Sequence, residues 1–391
     1  MRIIHVTLRY PPASGGVEDY AKNLVERLRA SGDDVTVETT ALRTHHPATF
    51  LTETTSDPPY VRRHSVRTLG RIAYPIPRSL ASALEARRPD IIHAHGLWYA
   101  PADVAARVAR RRHIPFVLNP YYAPRRKLLW KVYQAVIGHR TIALADAVVV
   151  ISPSEEASLR AAGLPLRRVE LIPPGIDPQE FAPARANPFV APGLGGKRIL
   201  FFAGRLARAK GIDLLLRALP AILRAAPDAH AVLAGEDFGE RTELEALTEQ
   251  LGISRAVTWL GKIPREELLA AYQHAAVFVF PSRYEAFGIA PLEAQAAGCP
   301  VVATNTASLP FVVQHGETGL LFRPEDPEDL ARCVLRVLHH APHAARLAAA
   351  GRARACHVFT WERSVRKLRA LYHDLARSPR PPRALPAYLH R

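Results

Sequence analysis

Residues 2–8, RIIHVTL, form a short apolar run that ends in a loop carrying Gly15 and Gly16. A helical pattern follows over about 17–30, and then the β-branched run DDVTVETT at 33–40. Runs of this length suit strands, and the order strand, loop, helix, strand predicts a parallel sheet with helices on both faces. The rhythm continues through DIIHAH (90–95), a helix, PFVLN (115–119), a helix near 126–144, ADAVVVIS (145–152) and VELIPPGID (169–177). Residues 181–196, FAPARANPFVAPGLGG, have no period and are rich in Pro, Ala and Gly, which reads as a connection between domains. A second series then starts: KRILFFAG (197–204), helix 210–226, HAVLAG (230–235), helix 240–251, AVTWLG (256–261), helix 264–274, AVFVFPS (276–282), a helix starting near Gly288, and PVVAT (300–304). The expected fold class is α/β: two Rossmann-like, doubly wound domains over 1–180 and 181–358. A helix over 359–377 is expected to pack back toward the first domain, and 378–391 reads as a basic, proline-rich tail.

At 391 residues the chain exceeds what one core organises, which agrees with two domains. Apolar residues at 48% and charged residues at 23% exclude a disordered, collagen-like or membrane-bundle chain. The N-terminus lacks the pattern of a secretory signal, and no window approaches the roughly 20 apolar residues of a spanning helix. The expected location is therefore cytoplasmic, with any membrane contact peripheral. Cys299, Cys333 and Cys356 are odd in number and lack metal-ligand spacing, so reduced, unliganded thiols are expected. The formal net charge of +16 divides almost evenly between the halves. It favours an anionic partner, either a phosphorylated substrate, an acidic membrane or nucleic acid, unless it is a compositional bias.

In open α/β sheets ligands bind beyond the carboxyl ends of the strands, so both halves are expected to present their strand-end loops to a shared cleft. Gly15 and Gly16 lie between the first strand and its helix, where they serve either an anion at the helix N-terminus or a tight turn. His93 and His95 share a strand face, and only His95 reaches the strand end; it is either a structural or a site histidine. Gly204, Arg205 and Lys210 follow the first strand of the second half, a fork-shaped and a point cation leading into a helix that can converge on a diphosphate. Glu285 falls in the turn after strand 276–280, and Glu293 inside the helix that Phe287, Gly288 and Ile289 begin. A carboxylate on such a helix can accept from a vicinal diol, while free amides at 287–289 face an anion or hydroxyl.

Gly15-Gly16-Val17, HAH ending at His95, GRLARAKG over 204–211 and Glu285-Ala-Phe-Gly-Ile-Ala-Pro-Leu-Glu293 together resemble retaining glycosyltransferase family 4, of the GT-B fold. So do PPGID (173–177), HGETGLLF (315–322) and FTWE (359–362), and the resemblance covers about residues 3–376. It implies a nucleoside-diphosphate sugar bound mainly to the second domain and an acceptor, a glycan or a lipid-linked molecule, bound mainly to the first. Carried over, Arg205 and Lys210 neutralise the diphosphate with help from the backbone at Gly16, and Glu293 holds the ribose hydroxyls. Glu285 contacts donor sugar hydroxyls, the amides of 287–289 bind sugar or distal phosphate, and His95 stands beside the reacting sugar. The catalytic set so implied is His95, Arg205, Lys210 and Glu285. No cofactor and no metal are expected, and the resemblance suggests a place in cell-envelope polysaccharide or glycolipid synthesis.

One departure is NTASLPFVV after strand 300–304, where Phe311 stands in place of the family's acid. Asp237 and Glu240 lie near a strand end, where they can meet a base or phosphate without an assigned role. RRKLLWKVY (125–133) mixes basic and apolar residues and fits either an anionic membrane surface or an ordinary surface helix. Rival readings are a nucleotide-sugar epimerase or sugar phosphorylase of the same architecture. A nucleic-acid-binding protein is disfavoured, because the charge is spread over both halves and no recognition module is present.

Overall fold

Two parallel sheets organise the computed structural model, which describes residues 1–13, 15–45, 48–50, 57–69, 72–124, 128–190 and 193–377. The chain divides into two units. One is Met1–Pro174 together with the chain from Trp361 onward, and the other is Gly175–Thr360.

The first unit holds seven strands: β1 (Arg2–Thr7), β2 (Asp34–Thr40), β3 (Val61–His64), β4 (Ile91–His95), β5 (Phe116–Asn119), β6 (Ala147–Val150) and β7 (Val169–Leu171). Their spatial order is β7-β6-β5-β4-β1-β2-β3, with every pairing parallel. Helices cover both faces, so interior strands such as IIHAH, FVLN and AVVV are buried at every position. Two antiparallel ribbons, Leu42–His45 with Ala48–Phe50 and Val66–Leu69 with Ile72–Pro77, lie along the chain between β2 and β4. Their short, mixed sequences carry no apolar run, so periodicity does not announce them.

The helix Trp361–Arg377 belongs to this unit. Trp361, Val365, Leu368, Leu371 and Tyr372 recur at spacings of three and four and are buried. Trp361 lies 5.7 Å from the Tyr20 ring on the helix Gly16–Ala30, and Arg369 Nε donates to Asp33 at 2.9 Å. Each such side chain contributes about 1.5–3 kcal/mol by leaving water, enough to hold the helix in one register.

The second unit holds β8 (Arg198–Ala203), β9 (Ala229–Ala234), β10 (Val257–Gly261), β11 (Val277–Phe280), β12 (Val301–Thr304) and β13 (Leu320–Phe322), ordered β10-β9-β8-β11-β12-β13. Phe201, Phe202, Phe278 and Phe280 interlock across β8 and β11, with ring centroids 5.9–6.2 Å apart. Phe181 and Phe189 are buried, and Phe189 lies 6.2 Å from Phe201. The proline-rich stretch thus packs on this unit, and the division falls earlier, between Pro174 and Gly175. Helices Pro327–His339 and Ala341–Val358, unmarked in the sequence reading, complete it.

Both sheets are doubly wound in the same sense. Strand order reverses between β1 and β4 in the first unit and between β8 and β11 in the second. At such a reversal neighbouring crossovers leave to opposite faces and open a crevice at the strands' carboxyl ends.

Candidate active site

At the β8/β11 reversal two loops are locked together by glycines. A Cβ on Gly235 would stand 1.7 Å from the Gly204 carbonyl oxygen, so only glycine lets the loop after β9 lie against the one after β8. Leu206 N donates to Glu236 O at 2.8 Å and Phe238 N to Leu206 O at 3.0 Å. The exposed Arg205 guanidinium lies 5.1 Å from the Phe238 ring centroid and has no carboxylate partner among the described residues. Asp237 spends its carboxylate on the amides of Gly239, Glu240 and Arg241 at 2.9–3.1 Å, which makes it a turn-capping residue here.

Arg208–Lys210 form a single 3₁₀ turn ended by Gly211 at φ 63°, where a Cβ would meet Pro281 O at 2.0 Å. Arg283 N and Ser282 Oγ donate to Ala209 O at 2.8 and 3.1 Å. Arg283 also holds Asp213 through two bonds of 2.7 and 2.9 Å. The segments after β8 and β11 are therefore joined into one surface. On it Lys210 Nζ donates to Glu285 Oε2 at 2.5 Å, both side chains being largely shielded from solvent.

Gly288, at φ 108°, caps the helix Ile289–Ala296. The first amides of a helix have no intrahelical acceptor, so those at 287–289 are available beside Glu285. The Phe287 ring points inward, 6.4 Å from Phe311 and 5.8 Å from Phe359. Phe311 is thus part of an aromatic cluster where the family pattern has an acid.

Glu293 is held elsewhere. It accepts from Arg265 Nη1 at 2.7 Å and from the Tyr272 hydroxyl at 3.5 Å. Burial raises its pKa above the usual carboxylate range, and Arg265 pulls against that rise. Arg265 also makes a bidentate bond to Glu180 at 2.8 and 2.9 Å. Burial disfavours the Arg265 charge, but Glu180 and Glu293 outweigh it and push its pKa above the ordinary arginine value. The two glutamates of the sequence motif are therefore in separate ion pairs. Glu180 and Arg265 were missed in the sequence; the only local signal was an Arg-Glu-Glu helix start at 265–267.

At the β1/β4 reversal, Gly15 and Gly16 open the helix Gly16–Ala30. A Cβ on Gly15 would stand 2.3 Å from Glu18 Oε2, whereas one on Gly16 would meet nothing within 4 Å. The buried Glu18 carboxylate folds over this helix start and pairs with Arg9 at 2.7 Å. His95 is 1% exposed. Its Nε2 lies 2.9 Å from His5 Nδ1 and its Nδ1 lies 2.8 Å from the Tyr121 hydroxyl, so both nitrogens are engaged inside the unit. The parallel register sets His5 beside His93 and Thr7 beside His95. Burial lowers the pKa of all three histidines, that of His93 to about 3. Nitrogens of the trio lie within 4.8 Å of one another, close enough to share a cation.

Comparison with known proteins identifies the family. Residues 14–180 match the model for Glycosyltransferase Family 4 and residues 186–354 that for Glycosyl transferases group 1. D-inositol 3-phosphate glycosyltransferase of Thermobifida fusca is 33% identical over 304 residues, 73% of this chain and 69% of that one. The chain belongs to glycosyltransferase family 4.

This family 4 glycosyltransferase is a retaining enzyme that uses nucleotide sugars. It is also 28% identical to the GDP-mannose-dependent alpha-(1-6)-phosphatidylinositol monomannoside mannosyltransferase of Mycolicibacterium smegmatis, over 91% of this chain and 94% of that one. Sucrose-phosphate synthase from Thermosynechococcus elongatus superposes with a TM-score of 0.72 at 26% identity, covering 96% and 99% of the two chains. The glycosyltransferase has the GT-B pair of sheets, and no helix among its described residues is long and apolar enough to cross a membrane.

Proposed function

We propose that the Gly175–Thr360 unit binds the nucleoside-diphosphate sugar at the β8/β11 reversal, and that the carrying observation is the Lys210–Glu285 pair beside the amides of 287–289. Glycosyl transfer builds positive charge at the anomeric carbon and negative charge on the departing diphosphate, so fixed cations and helix amides aimed at the phosphates lower the barrier. With donor bound, the diphosphate replaces Glu285 as the partner of Lys210, and Arg205, with no carboxylate partner among the described residues, adds its fork of donors. Glu285, released, accepts from sugar hydroxyls, and Glu293, oriented by Arg265, accepts from the ribose diol. Gly15, Gly16 and His95 belong to the β1/β4 reversal of the other unit, where open space at Gly16 suits backbone approach and the enclosed His95 neighbours the reacting sugar only through the Tyr121 hydroxyl that covers it. Attack by the acceptor hydroxyl from the leaving-group face, its proton passing to the departing phosphate, gives retention.

A nucleotide-sugar panel read by thermal shift tests the donor site, since a true donor stabilises the fold by mass action. One of the UDP-, GDP- or ADP-sugars is expected to raise the midpoint. Glu293→Ala removes charged hydrogen bonds worth about 1.5–3 kcal/mol, so donor Kd should rise roughly ten- to a hundredfold while kcat changes little. No shift with any donor, or an unchanged Kd in the variant, sinks the assignment.

The acceptor reading is a phosphate-bearing polyol or glycolipid. Two relatives carry such acceptors in their names, D-inositol 3-phosphate and phosphatidylinositol monomannoside. Residues 125–127 of the basic stretch lie outside the described residues, and its remainder forms the helix Leu128–Tyr133. A different feature of the same unit supports peripheral contact with an anionic membrane. Arg107, Arg110, Arg111 and Arg140 surround a cavity of about 320 Å³ walled by Val104 and Val108. Near a membrane each basic side chain adds about 1 kcal/mol, so Arg107→Glu with Arg140→Glu should weaken pelleting with phosphatidylglycerol vesicles by about thirtyfold or more. Wild-type protein that stays in the supernatant removes the membrane from the reading.

A further inference from the structure

His95 is the last histidine before the end of a run of hydrogen bonds whose direction can be read from a single carbonyl. Val149 O can only accept, so the Asn119 atom 2.7 Å from it is the amide nitrogen, and Asn119 Oδ1 faces His93 Nε2 at 2.8 Å. His93 Nε2 therefore carries the proton. Burial keeps the ring neutral, so its Nδ1 is bare and accepts from the Tyr372 hydroxyl at 2.6 Å. The Tyr372 oxygen then accepts from His5 Nε2 at 3.3 Å, which leaves His5 Nδ1 bare to accept from His95 Nε2 at 2.9 Å. His95 Nδ1 in turn accepts from the Tyr121 hydroxyl at 2.8 Å. All three histidines are fixed as the neutral Nε2–H form. Every proton in the run points away from Tyr121, so the oxygen of that hydroxyl is left as an acceptor.

Tyr121 is the half-buried end of the run and is itself constrained. It has φ 47°, a left-handed conformation that bulky residues rarely adopt, and its ring stacks on His95 at 6.0 Å and 17°. Tyr372 enters from the C-terminal helix, 279 positions beyond His93, and joins the His93 and His5 segments of the run.

We propose that Tyr372 is a positioning residue for the transfer reaction: through His93 and His5 it fixes the proton of His95 on Nε2 and so keeps the Tyr121 hydroxyl oxygen turned out as an acceptor for a substrate hydroxyl. This rests on the reading of His95 as neighbour of the reacting sugar. Removing the Tyr372 hydroxyl strands His5 Nε2–H without an acceptor. A buried N–H without a partner is costlier than a bare lone pair, so the His5 proton moves to Nδ1. His95 must then accept at Nε2 and carry its proton on Nδ1, and the Tyr121 proton is free to turn outward, where a substrate hydroxyl needs an acceptor.

The test is nitrogen NMR of ¹⁵N-histidine-labelled full-length protein, with signals assigned from single His→Gln variants, combined with transfer kinetics. Wild type should show His5, His93 and His95 all with protonated Nε2. Tyr372→Phe, nearly isosteric, should keep the His93 signal type, switch His5 and His95 to protonated Nδ1, and lower kcat about tenfold at nearly unchanged donor KM. A wild-type His95 protonated on Nδ1, a Tyr372→Phe spectrum without the switch, or zinc that binds wild type and displaces these signals overturns the relay. A switch with unchanged kcat, in protein where His95→Ala abolishes transfer, overturns the positioning role. If His95→Ala leaves transfer intact, the reading of His95 itself fails, and the NMR result still decides the relay.

Discussion

Lys210→Ala is expected to lower transfer by about two to three orders of magnitude in a protein that remains folded. The lysine ammonium is tied to the loop after β11 through Glu285 at 2.5 Å, and its turn is fixed by Gly211 against Pro281. Its charge is thus oriented before any donor arrives, the condition under which one donor to a developing anion contributes about 2.7–4 kcal/mol to the transition state. The stability cost is small by comparison. Glu285 is about one-fifth exposed and can turn to water when its partner is removed, so the loss is of the order of a surface ion pair, about 1 kcal/mol or less. Initial rates of transfer and of donor hydrolysis should fall together while the thermal midpoint moves only a few degrees. The same geometry predicts that Lys210→Ala and Glu285→Gln are less than additive in rate, because each single change already breaks the pair. Near-normal rates in the lysine variant would mean that the diphosphate is not held here.

The strand-end positions proposed for this chemistry are legible in the sequence, and the contacts their side chains make are not. Strands such as RILFFA and VFVF announce themselves because a parallel sheet covered on both faces needs continuous apolar runs. The polar residues just past those runs, Arg205, Lys210 and Glu285, then stand out as strand-end positions. What a local pattern does not carry is the partner of each group. Lys210 meets Glu285 across 75 positions, and Arg265 joins Glu180 to Glu293 across 85 and 28. His95, read from the sequence as either a structural or a site histidine at a strand end, is enclosed, because β1 pairs with β4 so that His5, opposite His93, reaches its Nε2, and the turn after β5 brings the Tyr121 hydroxyl to its Nδ1. Asp237 likewise looked free at a strand end, and the turn amides it caps exist only once that loop has folded.

Gly211→Ala should do to this surface what no single charge removal does: separate its two loops. Two costs act at the position. An alanine at φ 63° carries about 1–2 kcal/mol of left-handed strain. Its Cβ would also stand 2.0 Å from the Pro281 carbonyl oxygen, more than an ångström inside contact. That oxygen has little freedom to swing away, since proline fixes its own φ and the next two residues are tied to Ala209 O. Relief comes only by moving the Arg208–Lys210 turn off the β11 loop, which pulls Lys210 from Glu285. The expected loss is roughly 3 kcal/mol or more of stability, together with a fall in transfer at least as large as that of Lys210→Ala. Gly196→Ala supplies the control, because Gly196 has φ 75° but open space around the missing Cβ, and it should show the strain alone. Urea midpoints measured side by side decide the matter. If Gly211→Ala costs no more than Gly196→Ala, the approach of Pro281 is not what requires glycine after Lys210, and the two loops are not the single rigid surface on which the donor site depends.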